Sequence, residues 1–109
     1  MDRDRERLVA ANEALARQVN EAIERGQWPG EEDQHAAYRC ECARSDCNRL
    51  VELTPAEYER IRAHPRRFVV IPGHEYPEVE SVIHATPAYV VVAKRREAGG
   101  VAEAADPRD

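Results

Sequence analysis

Three cysteines close together in the chain are the strongest chemical signal in the sequence. Residues 40–47 read CECARSDC, so the cysteines are Cys40, Cys42 and Cys47. On an extended strand Cys40 and Cys42 point to the same side, and a turn over residues 43–46 brings Cys47 back towards them. Zinc prefers a tetrahedron of sulfur and nitrogen ligands. The sequence therefore predicts one structural Zn²⁺ ion per chain, completed by a ligand from another segment.

Two other roles for these cysteines stay open. Unligated cysteine often packs in a core as a small hydrophobic residue, although the segment around these three is polar. The other role is a zinc-thiolate redox sensor, in which Cys40 and Cys42 oxidise together and the metal is released. A disulfide framework fits less well, because three is an odd number of cysteines.

The fourth ligand is expected to be one of the four histidines in the chain. His35 precedes the cysteines in a linker. His64 and His84 lie at predicted helix ends, where a cation complements the helix dipole. His74 follows a Pro-Gly pair in a tight turn directly after a predicted strand, and such a turn fixes the direction of a side chain. The residue chemistry favours His74 and leaves the other three open.

The N-terminal segment, residues 1–26, is predicted to be an amphipathic helix over residues 3–25. Its apolar residues recur at helical spacing with charges between them, namely Leu8, Ala11, Leu15, Val19, Ala22 and Ile23. This stripe is thin, and an isolated helix of this kind is marginal in water. We expect the helix either to pack on the core or to pair with another chain, so a homodimer through this helix is one expectation. A linker follows over 27–37.

Residues 38–94 are predicted to form one small zinc-stabilised domain of the α+β class. A β-hairpin carries the cysteines at its tip and is followed by a helix, a strand, a second helix and a last strand. The predicted elements are strands 38–42 and 49–53, helix 55–63, strand 68–71, helix 77–84 and strand 88–93. A core of under about 60 residues is close to the size at which chains need a metal or a disulfide. Residues 95–109 are expected to be a disordered tail.

Charge and hydropathy restrict the function further. The net charge is −5, whereas general nucleic-acid binding needs a cationic face. The basic cluster over residues 60–67, RIRAHPRR, keeps a nucleic-acid-binding regulator as an alternative. The sequence contains no apolar run of about 18 residues, so no membrane span is predicted. The charged start, MDRDRERLV, is unlike a signal peptide, and we expect a cytoplasmic location.

The stretch from Cys40 to Lys94 resembles a family of short, functionally uncharacterised proteins from actinobacteria and their relatives. The shared pattern consists of CEC (40–42), Cys47, VELT (51–54), EYE (57–59), RF (67–68), PGHE (72–75) and a final strand over 89–94. His74 belongs to this pattern and the other three histidines do not. The resemblance therefore implies that His74 is the fourth ligand, and it implies no activity.

The cysteine segment alone also resembles the post-SET zinc segment of histone lysine methyltransferases. That segment has a CxCx4C pattern and takes its fourth ligand from a distant part of the chain. The chain has no motif of the SET active site. This second resemblance therefore implies metal binding and nothing about methyl transfer.

A site made of Cys40, Cys42, Cys47 and His74 would be closed, whereas a catalytic zinc keeps one position open for water. We therefore do not expect an enzyme. The sequence favours a small structural-zinc protein, similar to a zinc finger in its use of the metal, that serves as a protein-interaction or regulatory module. Its protein partner is not indicated. A nucleic-acid-binding regulator and a zinc-thiolate redox sensor remain the alternatives.

Overall fold

Three helices and five strands make up the part of the chain that the structure describes. The structure is a computed structural model, and it describes residues 3–26, 34–42, 44 and 47–106. The elements are α1 (Arg3–Arg25), β1 (Ala36–Arg39), β2 (Leu50–Leu53), α2 (Pro55–Arg62), β3 (Arg67–Val70), β4 (Glu80–Ala85), β5 (Val90–Lys94) and α3 (Arg96–Ala104). The α+β class predicted from the sequence is confirmed. Of the predicted linker, residues 27–33 lie outside the described part, and its end belongs to β1.

The predicted hairpin around the cysteines is confirmed. β1 and β2 pair antiparallel, with Arg39 opposite Leu50. The alternation along β2 places Val51 and Leu53 in the core and leaves Leu50 exposed. The connection over residues 40–49 therefore carries all three cysteines at one end of the hairpin.

The start of α2 follows directly from its capping residues. The side-chain oxygen of Thr54 accepts a hydrogen bond from the Glu57 N–H at 3.1 Å, and the Glu57 carboxylate accepts one from the Thr54 N–H at 2.9 Å. This reciprocal pair satisfies two N–H groups that a helix start leaves unbonded. Tyr58, on the buried side of α2, stacks on Tyr38 of β1 with ring centroids 4.4 Å apart.

The predicted helix over 77–84 is wrong, because this segment contains strand β4. The three strands of the second sheet have the order β3-β5-β4, and both pairings with β5 are antiparallel. Val79, Val82 and Ile83 have helical spacing, but β-branched residues also favour a sheet. Pairing with the valine-rich β5, which only four residues (86–89) separate from β4, decides between the two.

The expectation of a disordered tail over 95–109 is also wrong for the described residues, because α3 occupies much of this segment. Ala102 of α3 is fully buried. Arg62 reaches Asp106 at 2.6 Å, and Arg66 reaches Glu103 at 2.5 Å. Small side chains let α3 lie close to its neighbours, so few large apolar residues are needed to hold it.

The apolar stripe predicted for α1 faces outward, and the helix packs on the rest of the protein through its other face. Its five exposed members are called the α1 stripe below: Leu8, Ala11, Leu15, Val19 and Ala22. Leu8 is 60% exposed, Leu15 58% and Val19 41%, while Ile23 is half-buried against the core. The buried face of α1 is instead made of small and polar residues, among them Glu13, Arg17, Asn20 and Glu21. Each of these polar residues has partners in other elements, and these contacts offset part of the cost of burying it.

The main core joins β1, β2, α2, β3 and β5, and the three cysteines lie at its edge. Phe68, Val69 and Val70 of β3 are all fully buried, as expected for a short apolar strand covered on both faces. The guanidinium carbon of Arg17 lies 3.6 Å from the centroid of the Phe68 ring. Among the described residues, no helix combines the length and apolar character needed to cross a membrane.

Candidate metal centre

The four residues predicted to bind the metal converge on one point. Cys40, Cys42, Cys47 and His74 each offer a ligand atom, and these atoms all lie within 4.8 Å of one another. Nδ1 of His74 lies 3.7 Å from the sulfur of Cys40 and 3.7 Å from the sulfur of Cys47. In a tetrahedral zinc site, ordinary Zn–S and Zn–N bond lengths place sulfur and nitrogen about 3.6 Å apart. The observed spacing therefore fits a metal ion between these atoms.

The segment that carries Cys40 is held against β3 by backbone hydrogen bonds. The N–H of Cys40 donates to the carbonyl of Arg49 at 3.0 Å and so extends the β1–β2 ladder by one step. The next residue turns to β3, because the N–H of Glu41 donates to the carbonyl of Val69 at 2.8 Å. The N–H of Ile71 then donates to the Cys40 sulfur at 3.2 Å. These contacts bring the cysteines next to the turn that follows β3.

A type II turn after β3 places His74. The N–H of His74 donates to the carbonyl of Ile71 at 3.1 Å and closes the turn. Pro72 occupies the position for which its fixed φ is suited, and Gly73 has the positive φ, 93°, that the next position requires. The Glu75 carboxylate accepts a hydrogen bond from the Gly73 N–H at 3.0 Å. The Pro-Gly pair in the sequence therefore determines where the histidine points.

The sulfur atoms are buried, and a hydrogen bond between Cys40 and Cys42 shifts the pKa values of these two thiols. Cys40, Cys42 and Cys47 are 1%, 3% and 7% exposed. A hydrogen bond from the Cys40 thiol lowers the pKa of Cys42 to about 4, with further donation from the Arg44 backbone and against the opposing effect of burial. The same hydrogen bond, together with burial, raises the pKa of Cys40. A divalent cation at the centre would displace the thiol protons and stabilise the thiolates.

The second ring nitrogen of His74 faces Arg44. Nη1 of Arg44 lies 3.5 Å from Nε2 of His74. A guanidinium only donates, so this contact is a hydrogen bond only in the tautomer that leaves Nε2 unprotonated. A metal ion on Nδ1 requires the other tautomer, with the proton on Nε2. Because Arg44 is exposed, its side chain can turn into solvent when a metal binds.

Glu41 is a residue of the site that the sequence analysis missed. It lies between two ligands, and its side chain points away from them into a completely buried position. One carboxylate oxygen accepts from Asn20 at 2.9 Å and from the Tyr58 hydroxyl at 2.8 Å, and the other accepts from the Val69 N–H at 2.9 Å. Burial raises the pKa of Glu41, and the charge of Arg17 and these hydrogen bonds oppose the rise. Glu41 thus fastens the cysteine segment to α1, α2 and β3.

The other three histidines do not reach the cluster. His35, His64 and His84 are exposed, and the group of four ligand atoms contains His74 alone among the histidines of the described residues. The choice among histidines that the residue chemistry left open is therefore decided in favour of His74 by position. The four residues named from the sequence are the ones that the fold brings together.

The basic cluster over residues 60–67 does not form one cationic surface. Arg62 is buried and forms ion pairs with Glu21 at 2.5 Å and with Asp106. Arg66 pairs with a carboxylate of α3. The cluster contains four arginines, and two of them are paired with carboxylates of the protein. Fewer positive charges therefore remain to replace the counterions of a nucleic acid.

The chemistry of the donor set is that of a closed metal site. Three thiolates with a divalent ion and one imidazole carry a net charge of −1, and Arg39, which donates to the Cys47 carbonyl at 3.3 Å, places a positive charge nearby. Soft sulfur ligands with one imidazole select metals such as zinc over magnesium or calcium. No family model, curated protein or solved structure matches the chain. The geometry described above is consequently the basis on which the function is proposed.

Proposed function

We propose that the chain is a small protein stabilised by one structural zinc ion and that it acts as a protein-interaction module. The observation that carries the metal part is the convergence of three sulfurs and one imidazole nitrogen within 4.8 Å. Zinc takes four such ligands in a tetrahedron in its structural sites. Four protein ligands leave no position for water, so the metal supports the fold and is not proposed to catalyse a reaction.

The position of the ligands supports a structural role. The cysteines come from the connection between β1 and β2, while His74 follows β3 of the other sheet. One ion would therefore tie two separate sheets together. Zinc binding contributes folding free energy on the order of 10 kcal/mol in small peptides at neutral pH, which is comparable with the total stability of a domain of this size.

The exposed α1 stripe supports the interaction part of the proposal. Leu8 and Leu15 each expose more than half of their surface, and both lie on one face of a helix whose other face is anchored. Contiguous exposed apolar residues on a protein surface indicate a site of association. The basic cluster offers less support for a nucleic-acid partner, because Arg62 and Arg66 are paired internally.

The metal part is tested by measuring the zinc content of the purified protein and of a His74→Ala variant. We expect about one zinc per chain in the unaltered protein, as a Cys3His set provides. In the variant, we expect weakened zinc binding and loss of cooperative unfolding. His84→Ala is the matched control, since His84 is exposed and lies outside the cluster, and it should retain both properties. Equal zinc affinity in the His74→Ala and His84→Ala variants would contradict the proposed site.

A further inference from the structure

A cavity of about 270 Å³ lies between α2 and the second sheet. Arg60 of α2, Arg67 of β3 and His84 of β4 all line it, so three separate elements each supply a hydrogen-bond donor. Among the described residues, neither guanidinium forms an ion pair, whereas the other two arginines of the 60–67 cluster are paired. Arg60 and His84 are exposed and Arg67 is half-buried. The charge that the basic cluster has left therefore lines one concave site.

A β-bulge in β4 turns His84 towards this cavity. Val82 pairs with Val92 of β5 and His84 pairs with the neighbouring Val91, so Ile83 is an extra residue on β4. In a regular strand His84 would lie on the same face as Val82, because side chains alternate between the two faces. With the bulge, His84 lies on the face of Val91, and Ile83, His84 and Val91 all line the cavity. Bulges are common where a strand has to redirect a side chain next to a functional site.

The wall of the cavity is apolar. It includes the buried side chains of Ile61, Tyr89 and Val91 and the side chain of Ile83, which is 45% exposed. A ligand that covered Ile83 would remove apolar surface from water, which favours binding. The cavity is smaller than those that hold drug-sized molecules. Its walls therefore suit a compact apolar group joined to an anion.

Glu57 also lines the cavity, and its carboxylate is already bonded within the protein. One oxygen accepts from the Thr54 N–H at 2.9 Å and the other from the Tyr89 hydroxyl at 2.8 Å. The guanidinium groups of Arg60 and Arg67 with this carboxylate leave an excess of one positive charge, without counting His84. A phosphoryl group brings three strong acceptor oxygens, one for each of the three donor side chains, whereas a carboxylate has only two.

We propose that this cavity binds a small phosphate monoester with a compact apolar group. Arg60, Arg67 and His84 bind the phosphoryl oxygens, and arginine suits this role because its planar fork of donors matches the geometry of phosphate. The apolar group of the ligand packs against Ile83 and the buried wall beneath it. Among the described residues, none of the four candidate metal ligands lines this cavity. The inference is therefore independent of the proposed zinc site and adds a ligand to the proposed function.

The site is tested by titrating the full-length, zinc-loaded chain with phenyl phosphate at neutral pH and low salt, followed by amide NMR shifts. We expect saturable shifts at residues that line the cavity, with a Kd on the order of 0.1–1 mM for so small a ligand. Inorganic phosphate lacks the apolar group, and benzoate lacks the third oxygen and the second charge. Each should bind at least about fivefold more weakly than phenyl phosphate.

Substitutions of the arginines assign the binding to this cavity. Arg60→Gln and Arg67→Gln should each raise the Kd for phenyl phosphate at least about fivefold, because each removes a charge-assisted hydrogen bond. Arg25→Gln is the matched control, since Arg25 is also an exposed arginine in the last turn of a helix, and its Kd should stay within about twofold of the unaltered chain. Zinc content and amide spectra of each variant show that it is folded.

Three outcomes would overturn the phosphate site. They are the absence of saturable binding by the unaltered chain, equal affinity for benzoate or inorganic phosphate, and equal Kd values for Arg60→Gln and Arg25→Gln. A zinc-loaded chain that fails in one of these ways would lose the phosphate site alone, whereas a chain that binds no zinc would contradict the proposed function.

Discussion

The turn that carries His74 depends on a residue with positive φ. Gly73 has φ of 93°, and a Cβ added there would meet no atom within 4 Å. The whole cost of Gly73→Ala is therefore conformational, and we expect a loss of about 1–2 kcal/mol in the free energy of unfolding. Zinc affinity should fall as well, because the turn directs the imidazole. Both quantities can be measured by denaturant unfolding and by competition with a chelator.

Gly100 provides the opposite case within the same chain. It lies in α3, and a Cβ added there would also meet nothing within 4 Å. Since alanine is the better helix former, Gly100→Ala should raise the free energy of unfolding by about 0.5–1 kcal/mol and leave zinc affinity unchanged. Equal effects of the two substitutions would show that the backbone of Gly73 does not determine the site.

The ligands of the candidate site could be predicted from the sequence, whereas Glu41 could not. The cysteines are close together in the chain, so local spacing is enough to predict them. The Pro-Gly pair marks the turn before His74, but the choice of His74 among four histidines came from the family resemblance and agrees with its position in the fold. The role of Glu41 depends on Asn20, Tyr58 and Val69, which come from three elements. From the sequence alone, a glutamate between two cysteines is expected to be a solvated side chain, because its three partners come from other segments.

At the scale of elements, α1 is attached to the rest of the protein through polar contacts. The amide nitrogen of Asn20 donates to the Arg39 carbonyl at 2.7 Å, and its oxygen accepts from the Arg39 N–H at 2.6 Å. The same side chain therefore bonds to the end of β1 as another strand would. Arg17 donates to the Arg67 carbonyl at 2.5 Å and so bonds to β3. These contacts fix both the position and the rotation of α1.

This arrangement reverses the usual ranking of substitutions in an amphipathic helix. We expect Asn20→Ala to lower the free energy of unfolding by about 2–3 kcal/mol, because it leaves the backbone groups of Arg39 and the carboxylate of Glu41 without a partner. Leu15→Ala should change it by less than about 1 kcal/mol when measured at a concentration where the chain is monomeric. Urea unfolding of the zinc-loaded variants checks both values. A larger effect of Leu15→Ala would mean that the stripe faces inward.

The predictions that were left open or proved wrong at this scale share one physical cause. The spacing of apolar residues in α1 shows which residues share a face, but it does not show which face is buried. That choice depends on the partners of Asn20 and Arg17. In the same way, β4 is a strand because β5 lies beside it, and α3 is ordered because Arg62 and Arg66 bind its end. The helix α2 and the turn at Gly73, which depend on local residues, were predicted correctly.

At the scale of the whole molecule, a buried ionic group joins the N-terminal helix to the last strand. The ammonium group of Lys94 on β5 contacts the carboxylates of Glu13 on α1 and Glu80 on β4, and all three side chains are buried. Burial raises the pKa of Glu13 from 4.5 to about 7, and the charge of Lys94 opposes this rise. Burial also lowers the pKa of Lys94. The protonation of Glu13 is therefore linked to folding of the entire chain.

The direction of this linkage follows from the two pKa values. Between pH 4.5 and about pH 7 the folded chain holds a proton on Glu13 that the unfolded chain has released. The contribution of Glu13 to stability is therefore complete below pH 4.5 and is lost as the pH rises through about 7. Zinc binding has the opposite dependence, because acid protonates the thiolates. A pH series on the unaltered protein alone would mix the two effects.

A Glu13→Gln variant separates them, because glutamine has the same shape and does not titrate. Acid acts on the zinc site equally in both proteins, so that effect cancels in their difference. We expect the free energy of unfolding of the unaltered chain, minus that of the variant, to fall steadily between pH 5 and pH 8. Urea unfolding at each pH measures this difference. A difference that stayed constant, or that rose with pH, would mean that Glu13 is ionised in the folded protein throughout this range and that Lys94 compensates fully for its burial.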